Sequence, residues 1–276
     1  MRSTGLVREF GGFHDAIWAI AGSRAKLVLQ YFQNRGISRR KRELASQREY
    51  QVVTFDCYGT LIDWETGIQA SFKQALRDLE LNQSEEAKVF DLYEEEEKRI
   101  EALKPYRSYR TVLSEAASAA VIRFGKNIPK ELSTLLAEQL PGWNPFPDTN
   151  PALERLAGKY KLGILSNVDN NLLTGTLKHF NIPFDLVVTA EQVRSYKPGR
   201  KHFEEAQRII GDKDWLHVAA SLYHDIEPAS KLGIESVWVN RKKLIAGRNY
   251  LGLAREVENL TQLADWLAPS ELTASG

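Results

Sequence analysis

From Gln51 onward the chain alternates between short apolar runs and longer segments whose apolar positions return every three or four residues. The runs are "QVVTF", "KLGILSN", "FDLVVTA", "LHVAASL" and "SVWVNR", apolar in near-continuous stretches rather than at every second position. Strands of that kind are buried on both faces, as in a parallel sheet covered by helices. Between them "NNLLTGTLKHF", "PGRKHFEEAQRII" and "IEPASKLG" are helix-compatible. The pattern therefore predicts an α/β core, with a parallel sheet and helices on both faces.

One interval breaks the alternation. Residues 65–139 contain no strand run and are rich in Glu, Lys, Ala and Leu, with helical spacing in "IQASFKQALRDLEL". "LPGWNPFPDTNP" ends this block with four prolines in twelve residues, a strong breaker and a natural hinge. The expected organisation is a discontinuous core, residues 50–64 and 142–276, with an all-helical insertion over residues 65–141. "LTQLADWLA" reads as a final surface helix. Residues 1–49 differ from the rest, with an apolar patch, "FHDAIWAIAG", and a basic run, "RRKRE". They are expected to form a basic, flexible or helical extension outside the fold. The patch is short and interrupted by Asp15, unlike a secretory signal, while an organellar presequence stays open.

Composition narrows the function little. The net charge of +1 is split unevenly, with 10 Lys and Arg against 4 Asp and Glu in residues 1–50 and 27 against 32 in the rest. That balance gives no reason to expect a nucleic-acid partner. A lone cysteine, Cys57, excludes a disulfide framework or a Cys-based zinc site within one chain. No apolar run approaches the roughly 18 residues of a membrane span. A cytoplasmic, soluble protein with no membrane partner is expected.

In an open parallel sheet, ligands bind at the carboxyl ends of the strands. The first strand ends in Asp56, followed by Cys57, Tyr58 and Thr60 in "FDCYGTL". The second ends in Ser166 and Asn167, and Lys197 follows the third in "SYKPG". The fourth gives "AASLYHD", with Ser221, His224 and Asp225. A carboxylate can be a nucleophile, a lysine beside it keeps it ionised, and hydroxyl and amide donors can hold an anion. Taken singly, each has a bland reading: a cap, a turn or a surface loop. Their order on successive strand ends is the signal.

These motifs resemble those of the haloacid dehalogenase superfamily, over about Gln51 to Arg241. The resemblance implies a Rossmann-like core with an inserted helical cap that closes over the site. It also implies Asp56 as nucleophile, Thr60 as its supporting hydroxyl, Lys197 as its counter-charge, and Ser166 and Asn167 as anion grips. Most members are magnesium phosphatases with a second aspartate two residues after the first and an acidic fourth motif. Here Tyr58 and Ala220 stand at those two positions, which removes two oxygen ligands of the metal. "D-x-Y-G-T" resembles instead the metal-free 2-haloacid dehalogenase branch, specifically the (S)-2-haloacid type. That branch implies a short halogenated carboxylate as substrate, no cofactor and a homodimer. The backbone of Cys57 and Tyr58, with Ser166 and Asn167, would bind the substrate carboxylate. Asp225 would orient Lys197 or activate the hydrolytic water, with Ser221 and His224 in the pocket. Arg99 is the candidate for the cap arginine that takes the halide, about one residue out of register. The chain departs from the branch at Ala220, Leu222 and Phe203, where Ser, Asn and Tyr are usual. A phosphate-ester hydrolase and a non-catalytic protein of the same fold are the alternatives.

Overall fold

The structure, a computed structural model, describes residues 49–129 and 132–269. The expected extension over residues 1–49, Glu49 apart, lies outside the described residues. Strand β1, Val52–Phe55, leads into four helices: α1 Trp64–Ala75, α2 Gln83–Glu101, α3 Tyr109–Arg123 and α4 Leu132–Gln139. Helix α5, Thr149–Ala157, then precedes β2, Lys161–Ser166, and α6, Asn170–Thr176. The rest of the core is β3 Leu186–Thr189, α7 Ala190–Val193, α8 Lys201–Ile210, β4 Trp215–Ala219, α9 Glu227–Leu232 and β5 Glu235–Val239. Strand β6, Leu253–Val257, and α10, Leu260–Leu267, close it.

The sheet runs β3-β2-β1-β4-β5-β6 with every pairing parallel. β1 and β4 are buried along their whole length, which explains their unbroken apolar character. Helices carry single apolar faces against the sheet. In α8, Phe203, Ala206 and Ile210 point inward at helical spacing, joined by the buried His202. α10 does the same with Leu260, Leu263, Ala264 and Leu267. Among the described residues no helix is long and apolar enough to cross a membrane.

Two elements differ from the sequence reading. β6 was not expected: it lies at the sheet edge, and only Val257 of its five residues is buried, so its apolar signal is weak. The proline-rich stretch is also not wholly a breaker. Leu140–Gly142 forms a single 3-10 turn, but Pro151 sits in the first turn of α5, where a missing N–H costs nothing.

The order of β1 and β4 sets the site. The order in which strands are added reverses between them, and both parallel strands end at the same edge of the sheet, where loops from β2 and β3 also arrive. The helical block is tied to that edge. Asp169, just after β2, accepts the Tyr109 and Arg110 N–H groups at the start of α3, at 2.8 and 2.9 Å. A carboxylate at a helix N-terminus satisfies its orphan donors and its dipole together. Tyr196 adds a bond to the Arg107 carbonyl at 2.8 Å and stacks on Tyr106.

Candidate active site

Asp56 is delivered by β1 pairing: its N–H donates to the Val218 carbonyl at 3.0 Å, extending the ladder with β4 by one residue. The chain then turns sharply. The Cys57 carbonyl accepts the N–H groups of Leu61 and Ile62, and Gly59 sits at φ 88°, a conformation glycine takes without strain. The turn brings Thr60 back beside Asp56, and its hydroxyl donates to Asp56 Oδ2 at 2.8 Å. Thr60 Oγ in turn accepts the Ala220 N–H from the end of β4 at 2.9 Å.

Lys197 lies at the centre. Its ammonium donates to Asp56 Oδ1 at 2.9 Å, to Asp225 Oδ1 at 2.6 Å and to the Leu165 carbonyl at 2.8 Å. All three of its protons are thus used, and the side chain is 1% exposed. Burial works against its charge, but Asp225 and Asp56 outweigh it and hold Lys197 above the ordinary lysine value. Burial likewise pushes the Asp225 carboxyl up, yet Lys197 and the His217 hydrogen bond prevail and hold it well below the usual carboxylate range. Asp56 is the other way round: burial, helped by Asp225, pushes it up against Lys197 and Thr60. Two neighbouring carboxyls are therefore driven apart, one firmly ionised and one easier to protonate.

A cavity of about 460 Å³ opens over Asp56, Lys197 and Asp225. Tyr58, Ser166, Asn167, Ser221 and His224 also line it, so most of the residues expected from the strand ends converge. Their contacts refine the picture. The Tyr58 hydroxyl turns to Thr176 Oγ at 2.8 Å, and its ring stands edge-on to Trp143. Trp143 fits there because Gly67 of α1 has no side chain: a Cβ on it would lie 2.4 Å from the indole. Ser166 Oγ and Asp225 Oδ2 are buried without a partner among the described residues. Asn167 is already engaged, its amide accepting the Lys197 N–H at 2.7 Å and donating to the Lys197 carbonyl at 3.0 Å. It holds the lysine loop as well as facing the cavity. His224 Nδ1 and Ser221 Oγ lie 3.2 Å apart, and burial lowers the imidazole to about 4, so it is neutral at neutral pH.

The Cys57 side chain is buried in the hydrophobic core, and its expected contribution is through the backbone N–H alone. One expected side chain is not brought to the cavity. Arg99 points away: its side chain is 57% exposed and its guanidinium pairs with Glu96 at 2.6 Å. Glu96 also takes Arg123, so this arginine belongs to a clamp between α2 and α3.

What faces the sheet end from α2 is instead Glu94, Glu97, Lys98 and Glu101, with Tyr109 from α3. Spacings of three and four place all four α2 residues on one face. Glu97 accepts the Tyr93 and Tyr109 hydroxyls at 2.7 and 2.8 Å. Glu101 lies 3.5 Å from Asn167 Nδ2 and 3.8 Å from His224 Nε2, and burial next to Glu97 pushes its carboxyl well up. Arg241, after β5, also lines the cavity; it donates to the Thr60 carbonyl and grips both oxygens of Asp148. Neither group was expected. In "EEEEKRIE" only Arg99 carries an expected site role, and Arg241 simply closes the strand run "SVWVNR".

The residues do not fit a magnesium site. Tyr58 and Ala220 supply no carboxylate, Asp225 Oδ1 already takes two donors, and among the described residues no group of three or more His, Cys, Asp or Glu could hold a metal ion.

The fold and this set of strand-end residues define a hydrolase class, and residues 53–239 match the haloacid dehalogenase-like hydrolase family. The chain belongs to that family. It is similar to the (S)-2-haloacid dehalogenase of Pseudomonas putida, 25% identical over 232 residues, which span 81% of this chain and 99% of that protein. A segment is similar to the glyceraldehyde 3-phosphate phosphatase of Methanothermobacter thermautotrophicus, 33% identical over 135 residues, 45% of this chain and 58% of that one. The fold is similar to that of a solved L-2-haloacid dehalogenase, with a TM-score of 0.69 and 24% identity over 80% of this chain and 99% of the other.

Proposed function

We propose that the chain hydrolyses the carbon–halogen bond of 2-haloalkanoic acids, without a metal, through a covalent ester on Asp56. One observation carries this: the carboxylate offered to the cavity is held by Lys197 and Thr60, while the two positions that would add metal-binding carboxylates are Tyr58 and Ala220. A phosphoryl dianion repels such a nucleophile, whereas a haloacid presents an electrophilic carbon and one negative charge.

In the first step an Asp56 oxygen bonds to C2 from behind, and the carbon–halogen bond breaks with its electron pair leaving as halide. In the second, water adds to the ester carbonyl, the 2-hydroxy acid departs, and the Asp56 carboxylate and one proton are released. Splitting the displacement in two avoids attack by weakly nucleophilic water at C2. Ser166 Oγ, without a partner among the described residues, and the backbone after Asp56 would hold the substrate carboxylate. Asp225 orients Lys197, and its unpartnered Oδ2 would accept a hydrogen bond from the hydrolytic water. The helical block over residues 65–141 would act as the cap. With Arg99 turned away, Lys98 is the α2 cation that lines the cavity and would meet the leaving halide. The cavity is of a size that encloses ligands well beyond a three-carbon acid.

The test is halide release from 2-chloro-, 2-bromo- and 2-fluoroalkanoates of increasing length in EDTA. Release by the wild type, lost in Asp56→Asn, is expected, and in single-turnover ¹⁸O-water the label enters Asp56 before product. Turnover of phosphate esters that requires Mg²⁺, with no halide release, would refute the proposal.

A further inference from the structure

Beneath the site runs a line of buried polar groups that the reaction above does not use. Thr54 in β1 and His217 in β4 are register partners in the sheet, and both are fully buried. Trp215 Nε1 donates to Thr54 Oγ at 2.7 Å, Thr54 Oγ lies 2.9 Å from His217 Nδ1, and His217 Nε2 lies 3.0 Å from Asp225 Oδ1. That carboxylate oxygen is the one that takes Lys197 Nζ at 2.6 Å. The line thus runs Trp215, Thr54, His217, Asp225, Lys197, Asp56.

Nothing in sheet packing calls for it. The neighbours Leu216, Val218 and Ala219 are buried and apolar, and an apolar pair at positions 54 and 217 would avoid desolvating two polar side chains. The hydrogen bonds also fix which proton goes where. An indole N–H can only donate, so Thr54 Oγ accepts there and keeps one proton to give. In the neutral imidazole that satisfies every atom, Nδ1 accepts that proton and Nε2 carries the N–H toward Asp225. The ring cannot swing aside, because Phe203 packs edge-on against it at 5.2 Å.

We infer that His217 is a positioning residue of the Asp56 site: locked by Thr54 and Trp215, its Nε2–H fixes Asp225 and thereby the placement of Lys197 against the nucleophile. This deepens the proposed function and rests on Asp56 being the reactive group. The sense is mechanical. Lys197 has no proton to spare, so any shift of Asp225 is passed to the bond with Asp56. Asp225 Oδ2 has no partner among the described residues, so His217 is what restrains the carboxylate besides Lys197 itself.

Two measurements test it. In wild-type protein with ¹⁵N-labelled histidine, NMR should show the His217 ring protonated at Nε2 and not at Nδ1 at neutral pH. An Nδ1–H tautomer overturns the inference, with no substrate needed. In steady-state halide release, His217→Leu should lower kcat roughly tenfold or more, the scale of one hydrogen bond to a charged group, while KM stays within about twofold. His217→Gln, which can present both a donor and an acceptor, should recover most of the loss, at a melting temperature no higher than that of the Leu variant. Equal rates in all three proteins, or a Gln variant as slow as Leu, overturn the inference. Wild-type protein that releases no halide from any substrate refutes the proposed reaction instead, and the NMR result alone then decides on His217.

Discussion

The two walls of the cavity are built on different rules. The sheet-end floor is closed: Asp56, Thr60, Lys197 and Asp225 are hydrogen-bonded to one another and to the strands around them, and each is at most 8% exposed. The α2 roof offers three carboxylates, one half-tied by tyrosines and one near a neutral histidine, with a single lysine among them. A buried floor tolerates no exchange of one partner without leaving a charge uncompensated. The roof is less tightly tied: Lys98 is exposed, while burial beside Glu97 pushes the Glu101 carboxyl well up. Under the proposed reaction, the floor would set the chemistry and the roof what is admitted to it.

Breaking the floor should therefore cost most. Asp56→Asn keeps the shape and removes the nucleophile, and halide release should fall by at least about a thousandfold, with the fold intact by circular dichroism. Retention of a tenth of the activity would mean another group attacks. Lys197→Met keeps the length and removes the ammonium, so turnover should drop by roughly a hundredfold. It also leaves two carboxylates facing each other in a buried site, which should cost about 3–5 kcal/mol of stability by urea unfolding. A stability change below about 1 kcal/mol would contradict the burial of this pair.

The asymmetry between walls also marks what the sequence could disclose. Asp56, Ser166, Lys197 and Asp225 were legible because strand ends in a parallel sheet point to one place, and each lies beside a recognisable apolar run. Arg99 and Lys98 could not be told apart, because adjacent helical residues point about 100° apart and the register of α2 depends on tertiary packing. Glu97 and Glu101 repeat at the same helical spacing whether they face water or a cavity; the Tyr93 and Tyr109 donors that draw Glu97 inward come from two different helices. Thr54 and His217 stand 163 residues apart, and only the sheet order makes them neighbours. β6 escaped for a simpler reason, since an edge strand with one buried residue leaves little apolar trace.

A pH series sharpens the comparison from the side of stability. His202, fully buried and bonded to the Ser166 carbonyl, is lowered to about 3, and His224 to about 4, in both cases chiefly by burial. The unfolded chain takes up these protons near the ordinary histidine value of about 6.5. Between there and about 4 the unfolded state binds more protons, so stability must fall as the pH falls. The slope is at most about 1.4 kcal/mol per pH unit for each histidine. Asp225, held low, extends the loss below the ordinary carboxylate value, while Asp56, held high, opposes it only above that value. Urea unfolding at pH 7.5, 6 and 5 reads this directly, and a flat profile would show that these imidazoles are not held neutral.

The smallest effect discriminates best within the roof. Lys98→Ala removes the α2 cation that lines the cavity, and KM for a haloacid should rise about fivefold, the worth of one charge pair near water. Added salt should narrow the gap to wild type, since the site borders solvent. Arg99→Ala, one residue away, should leave kcat/KM within about twofold, because its guanidinium is committed to Glu96 outside the cavity. Its stability cost should stay within the 0–1 kcal/mol of an exposed ion pair, and Arg123 still holds Glu96. If Arg99→Ala proved the more damaging of the two, α2 would have to turn by a full residue in the working enzyme. The roof would then be a moving part, and its carboxylates would not be the ones a substrate meets.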